Sequence, residues 1–318
     1  MLFAKAAKEL GYHPFPGPAA AMTRDYVNLY KVMMGECQRG GFCSSHACAA
    51  GAKANPLTAV LPALMKKENF EMRPLCNVIK VNKDSTGKQA TGVTYIDARG
   101  QTVEQPANIV VLATYCFNNT RLLLLSGIGK PYDPVSQTGI IGKNYCYQTG
   151  SGANLFFEER IFNPFMATGA FGSVVDEFHA NEAFDRSAMG AVGGATIRVG
   201  QSNGRPIGYR PVPPGTPRWG SEWKKATAKW YLRAMNIGAT GSNMPNRYHA
   251  YDLDPTYKNM FGQPLMRLTY NFTENDKKVI GFVAQKAQEI GKRTNATIMN
   301  VGGPLGDYSI VPYQSTHN

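Results

Sequence analysis

The chain has 318 residues, 43% hydrophobic and 18% charged, which is length and apolar content enough for one large or two ordinary domains and excludes a disordered chain. It has no apolar run of the roughly 18 residues that a membrane-spanning helix needs, and its opening, MLFAKAAKELGYHPF, lacks the apolar core and small-residue cleavage site of a secretory signal. The formal net charge of +12 raises nucleic acid as a partner, but no nucleic-acid motif accompanies it and none is expected to bind.

Residues 1–35 are predicted to form a helix, a proline-rich loop (HPFPGPAAA) and a second helix. CQRGGFCSSHAC follows, with Cys37, Cys43 and Cys48 separated by five and four residues. Three is odd for disulfides and one short of the usual zinc set, although His46 could complete that set. Closely spaced thiolates on a glycine-rich loop also suit an iron–sulfur cluster. Spacing alone ranks cluster first, then unligated thiols, then zinc. NPLTAVLPALMKKENF then predicts a short helix, with Pro56 in its first turn and Lys66 and Lys67 at its C-terminal end.

From Glu71 the period changes to two. EMRPLCNVIKV, GVTYIDA and QTVEQ predict an antiparallel meander, turning at DSTGK and ARGQ. In NIVVLATYCFNNTRLLLLSGIG, the continuous apolar run IVVLA predicts a strand of a parallel sheet buried on both faces, followed by a turn and a helix. The C-terminal end of such a strand is a usual seat for nucleotide cofactors. Cys76, Cys116 and Cys146 stand alone among apolar neighbours and are expected to be buried free thiols.

The composition shifts near residue 147. GANLFFEERIFNPFMATGAFGSVV, GAVGGATIRVG and QPLMRLTYNFT predict strands of a broad second sheet, and QSNGRPIGYRPVPPGTPRWG a long loop. ENDKKVIGFVAQKAQEIGKRTN predicts the clearest helix, capped near Thr273 and Asp276, with Val279, Phe282, Val283 and Ile290 on its apolar face. The fold class is therefore α+β, with an early parallel element and a larger, mostly antiparallel sheet late. Trp219, Trp223 and Trp230 lie in a segment where seven basic residues from Arg205 to Arg233 face one acid, Glu222. That pattern suits a docking surface for a partner, a membrane or an anionic substrate; a helix with inward tryptophans and solvated lysines is the favoured expectation.

Four stretches, in order, resemble the glucose–methanol–choline (GMC) flavoprotein oxidoreductases. They are TRLLLLSGIG, GIIGKNY, the run NRYHAYDLDPTYKNMFGQPLMRLTYNFTENDKK, and VPYQSTHN at the C-terminus. With the three cysteines, the wording is similar to the large flavoprotein subunits of bacterial membrane-bound sugar and sugar-acid dehydrogenases, closest to the gluconate 2-dehydrogenase type. The resemblance implies an α/β FAD-binding part over residues 1–146, an antiparallel-sheet substrate domain over 147–312, and a return toward the active site over 313–318. It implies FAD, with an adenine contact from Val78, backbone contacts from Ala113 and Thr114, and Asn118 nearby. It places the catalytic base on His317, and a 3Fe-4S cluster on Cys37, Cys43 and Cys48. A sugar acid or polyol is the implied substrate, D-gluconate first. The implied partners are a cytochrome c subunit and a small export subunit, at the periplasmic face of the bacterial inner membrane. His13, His46, His179 and His249 are expected to be structural or surface residues.

Two features depart from the family pattern. No GxGxxG occurs, and the chain ends one residue after His317, so the expectation is an interior piece of a longer subunit whose second catalytic His or Asn lies further on. The turn usually written Ala-Gly-Ala is Ala113-Thr114-Tyr115 here. A non-catalytic fragment and a GMC-type flavin oxidase are the alternative expectations.

Overall fold

The computed structural model describes residues 1–302 apart from 42, 44, 45, 167, 168, 180, 181, 183 and 200–207. Along the chain run α1 (Leu2–Lys8), β1 (Phe15–Pro16), β2 (Tyr26–Val27), β3 (Met33–Met34), α2 (Pro56–Ala59), α3 (Leu61–Leu64), β4 (Asn77–Lys83), β5 (Ala90–Ile96), β6 (Thr102–Pro106) and α4 (Tyr115–Leu125). Then follow β7 (Thr149–Phe156), β8 (Ser173–Val175), β9 (Ala195–Val199), α5 (Gly220–Trp230), β10 (Ala234–Gly241), β11 (Ala250–Lys258), β12 (Pro264–Thr269), α6 (Glu274–Lys292) and β13 (Ile298–Val301). The elements fall into two compact units that interleave in sequence. Among the described residues, one comprises residues 1–71, 148–242 and 274–302; the other comprises 72–147 and 243–273.

The first unit is organised by a six-stranded antiparallel sheet in the order β1-β8-β9-β10-β7-β13. Its strands alternate as a half-buried sheet must. Met235, Ile237 and Ala239 of β10, Ala153 and Leu155 of β7, and Ala195 and Ile197 of β9 are all buried. They share a core with Val283, Ala287 and Ile290 of α6 and with Phe3, Ala6 and Ala7 of α1. The three- and four-residue spacing predicted for α6 is what brings those side chains to one face. On β7, Phe156 belongs to a second cluster, packed edge-on against Trp230 of α5 with ring centroids 5.5 Å apart.

The second unit holds the predicted meander, β4-β5-β6, with α4 packed on β4, and a separate β11-β12 hairpin. In GIIGKNY, Gly142 has φ +91°, and a Cβ there would collide with the Tyr251 carbonyl; only glycine serves where backbone approaches this closely. Ser126 closes α4 by donating its hydroxyl to the Leu122 carbonyl (2.6 Å) while accepting from the Val81 N–H of β4 (2.9 Å). Removing that buried oxygen orphans the Val81 donor. Ser126→Ala is therefore expected to cost about 1–2 kcal/mol, read as a lower urea midpoint at unchanged slope; an unchanged midpoint would show that water replaces the serine.

The mixed helix and antiparallel-sheet architecture holds, and four local expectations change. IVVLA forms no strand: Ile109 and Val111 are 81% and 80% exposed. A two-face-buried strand needs neighbours on both edges, and no described strand pairs with this run. The second helix before residue 35 is replaced by the short β2-β3 pair. QPLMRLT pairs with β11 and stays outside the broad sheet. Cys76, Cys116 and Cys146 are half-buried rather than buried, and none forms a disulfide.

Candidate functional site

The cysteine stretch is held by a small backbone frame in the first unit. Ala21 bridges Lys53; Met22 N–H donates to Ala52 O (2.9 Å) and Ala54 N–H to Ala20 O (2.8 Å). Cys37 joins the frame by donating its N–H to Met22 O at 2.9 Å. This frame turns a loose glycine-rich loop into a wall. Cys37, Cys43 and Cys48 all line one cavity of about 740 Å³, whose other walls are mostly small residues such as Ala20, Ala21, Gly40, Gly41, Ala50 and Ala52. Gly169 (φ +53°) also borders it, and a Cβ there would collide with Cys37 Sγ, so a side chain at 169 would fill the space the sulfur uses.

Burial works against ionisation of Cys48. The N–H groups of Lys53, Ala52 and Ala50, together with the Lys53 charge, outweigh it and hold the thiol below its ordinary pKa. Among the described residues, no three His, Cys, Asp or Glu groups converge as a single-ion site, so the zinc arrangement with His46 is not formed. Three cysteines lining one cavity, N–H donors at Cys48 and small residues elsewhere fit an iron–sulfur cluster, which spreads its ligands around a polynuclear centre.

The four residues expected at the flavin lie in the second unit. Val78 is on β4, Ala113 and Thr114 form the turn into α4, and Asn118 is in that helix's first turn. All four are exposed, and the packing of α4 on β4 puts the turn and strand in one substructure. An open backbone at Ala113 fits close approach of a flat ligand. Thr114 is different: its N–H and hydroxyl both bond Asn119 Oδ1, at 2.8 and 2.7 Å. Asn119, rather than Asn118, shapes this turn; an Asn-Asn pair was its one trace in the sequence. Tyr115 follows with φ 76°, a conformation that costs a non-glycine residue about 1–2 kcal/mol and that such sites tolerate where a turn must be tight. His317 lies outside the described residues.

His249 is no surface residue. It is buried in the second unit, its ring 4.3 Å from that of Tyr270, which in turn packs edge-on against Tyr145 and Phe272. Burial, followed by the nearby Cys116 and Tyr145, pushes the Tyr251 hydroxyl well above the ordinary phenol range. Arg121 of α4 donates from Nε and Nη2 to Pro264 O (3.0 and 2.9 Å), tying the β11-β12 hairpin to that helix.

The tryptophan segment divides. Trp230 packs inward, Trp219 is 84% exposed, and Trp223 carries the Arg210 guanidinium at 5.4 Å from its ring centroid. Lys224 and Lys225 are solvated, while Lys229 pairs with Glu158 at 2.8 Å. Of the three tryptophans, the expected inward packing therefore holds for Trp230 alone, whose ring meets Phe156. Arg205 lies outside the described residues.

Residues 2–149 match the family model described as GMC oxidoreductase. The chain is 40% identical over 319 aligned residues to the gluconate 2-dehydrogenase flavoprotein of Pantoea cypripedii, covering 99% of this chain and 52% of that protein. It is 25% identical over 321 residues to a 2-methyl-1,2-propanediol dehydrogenase of Mycolicibacterium austroafricanum, covering 95% of this chain and 53% of that one. The chain thus spans about half the length of these curated relatives. Its fold superposes on a crystal structure of formate oxidase with a TM-score of 0.50 at 15% identity, over 96% of this chain and 54% of the other. On the family-model match and the 40% identity along its length, the chain belongs to the GMC oxidoreductases.

Proposed function

We propose that this chain is part of an FAD-dependent dehydrogenase that oxidises an alcohol group of a sugar acid or polyol, D-gluconate to 2-ketogluconate first among them. The observation that carries the proposal is the 40% identity with a gluconate 2-dehydrogenase flavoprotein along 99% of the chain. Residues 1–146 contribute to flavin binding and 147–312 to the substrate side, with Val78, Ala113, Thr114 and Asn118 toward the cofactor.

A bound flavin supplies the two-electron acceptor, and a 3Fe-4S cluster a one-electron exit. His317 takes the hydroxyl proton as the carbinol hydride departs. Cys37, Cys43 and Cys48 hold the cluster, and their shared cavity supports that assignment. A cytochrome c subunit receives the electrons. A small partner subunit carries the protein to the periplasmic face of the inner membrane; among the described residues no helix is long and apolar enough to cross one.

The test uses the complete flavoprotein subunit in its complex. D-gluconate under anaerobic conditions is expected to bleach the flavin absorbance, and the oxidised protein to show a three-iron paramagnetic signal. Cys43→Ala is expected to abolish that signal and cytochrome reduction while leaving flavin bleaching intact. Failure of gluconate to bleach the flavin overturns the substrate assignment. A normal signal in Cys43→Ala overturns the cluster ligands.

A further inference from the structure

Two cations line the cysteine cavity, Arg39 and Lys53. Arg39 is engaged elsewhere, its guanidinium 4.2 Å from the centroid of the Phe171 ring. Lys53 is aimed at the cysteine loop. Its backbone sits on the rung bridged to Ala21, and Cys37 hangs from the neighbouring Met22, so Lys53 and the first cysteine share one frame. From there the side chain reaches across the loop that carries the other two. Its Nζ donates to the carbonyl oxygen of Cys43 and, at 3.1 Å, to that of His46.

The backbone of Lys53 is fixed in turn from the far side. Thr58 Oγ1 donates to Lys53 O at 2.8 Å, within the Asn55–Thr58 capping box that starts α2. The ammonium is therefore anchored at its base and clips two carbonyls between the second and third cysteines. A lysine bonding two backbone carbonyls on a cysteine loop does two things at once. It sets the loop's curvature, and hence where the sulfurs of Cys43 and Cys48 lie. It also keeps a positive charge, partly shielded from water, on the loop whose cysteines would carry the negative charge of a bound cluster, where it acts more strongly than on the surface.

We propose that Lys53 is a positioning residue for the cysteine site, clipping the Cys43–Cys48 loop and raising the reduction potential of the cluster it holds. This rests on the assignment of a 3Fe-4S cluster to the three cysteines. Adding an electron adds a negative charge; a fixed neighbouring cation stabilises the reduced form more than the oxidised one, so the potential rises.

The test compares the complete flavoprotein complex with its Lys53→Met and Lys53→Arg variants. Flavin content serves as the folding control, and iron content and a mediator titration followed by paramagnetic resonance as the readouts. Methionine keeps the length without the charge and is expected to move the midpoint to lower potential, with partial loss of iron. Arginine is expected to restore the midpoint toward wild type. Assembly in the arginine but not the methionine variant also supports the clip. A methionine variant with wild-type iron content and midpoint overturns the proposal, as does loss of the cluster in both variants with flavin retained. A wild-type protein with no three-iron signal removes the cluster assignment itself, and Lys53's role with it.

Discussion

Replacing His317 with alanine in the complete flavoprotein is expected to lower kcat with D-gluconate by about 10²–10⁴-fold, the usual worth of a positioned general base. The hydroxyl proton moves only as the hydride leaves, so the loss should fall on kcat and kcat/KM together, with KM little changed. The pH profile supplies a second readout. A histidine base works when neutral, so wild-type activity should fall on the acid side of the profile; that limb should vanish in the variant. Flavin and iron contents should be unaffected, since the residue is assigned to neither cofactor. A variant within about threefold of wild type would transfer the base to another group, because that is far less than a general base contributes.

Leu155→Ala is expected to destabilise the protein by about 3–5 kcal/mol. Leu155 is 0% exposed near the C-terminal end of β7, between Met235 of β10 and Met299 of β13 in cross-strand register. The helix above presses close: a Cβ on Gly291 of α6 would sit 3.1 Å from Leu155 Cδ2. Strands on two sides and helix backbone on a third leave little room for collapse into the cavity, which puts the cost at the upper part of the leucine-to-alanine range. Leu232→Ala, at a side chain 40% exposed, is the matched control and should stay near 0.5 kcal/mol. Urea unfolding measures both. A loss below about 1 kcal/mol at Leu155 would mean that this layer repacks, contrary to the close packing of protein interiors.

Legibility in the sequence followed the range of the forces involved. The α6 stripe of Val279, Val283 and Ile290, the meander of β4, β5 and β6, and the Ser-Gly-Ile-Gly helix end are written in local periodicity and turn chemistry, and each formed where it was expected. IVVLA carried an equally strong pattern and failed. Its apolar run states only that the segment belongs between partners, and a strand exists only when those partners pair with it. QPLMRLT misled for a related reason: alternation identifies a strand, while the choice of neighbour belongs to the connection. At the site, the short AGAKANP, which places a lysine among small residues just after the third cysteine, was the available signal for Lys53. Its target carbonyls could not be read from it.

The sequence by itself determined that this is a mixed α+β GMC-type chain with three cysteines crowded into one glycine-rich loop, because residue type and short-range spacing carry that information. Only the tertiary structure decided that the three cysteines line one cavity, that Lys53 bonds the carbonyls of Cys43 and His46 while Arg39 lies over Phe171, that Asn119 rather than Asn118 governs the turn at Thr114, and that His249 is buried. Each of these depends on the direction a side chain takes once distant segments pack, such as residues 20–22 against 52–54 or α4 against β4, and the one-dimensional pattern leaves that direction open.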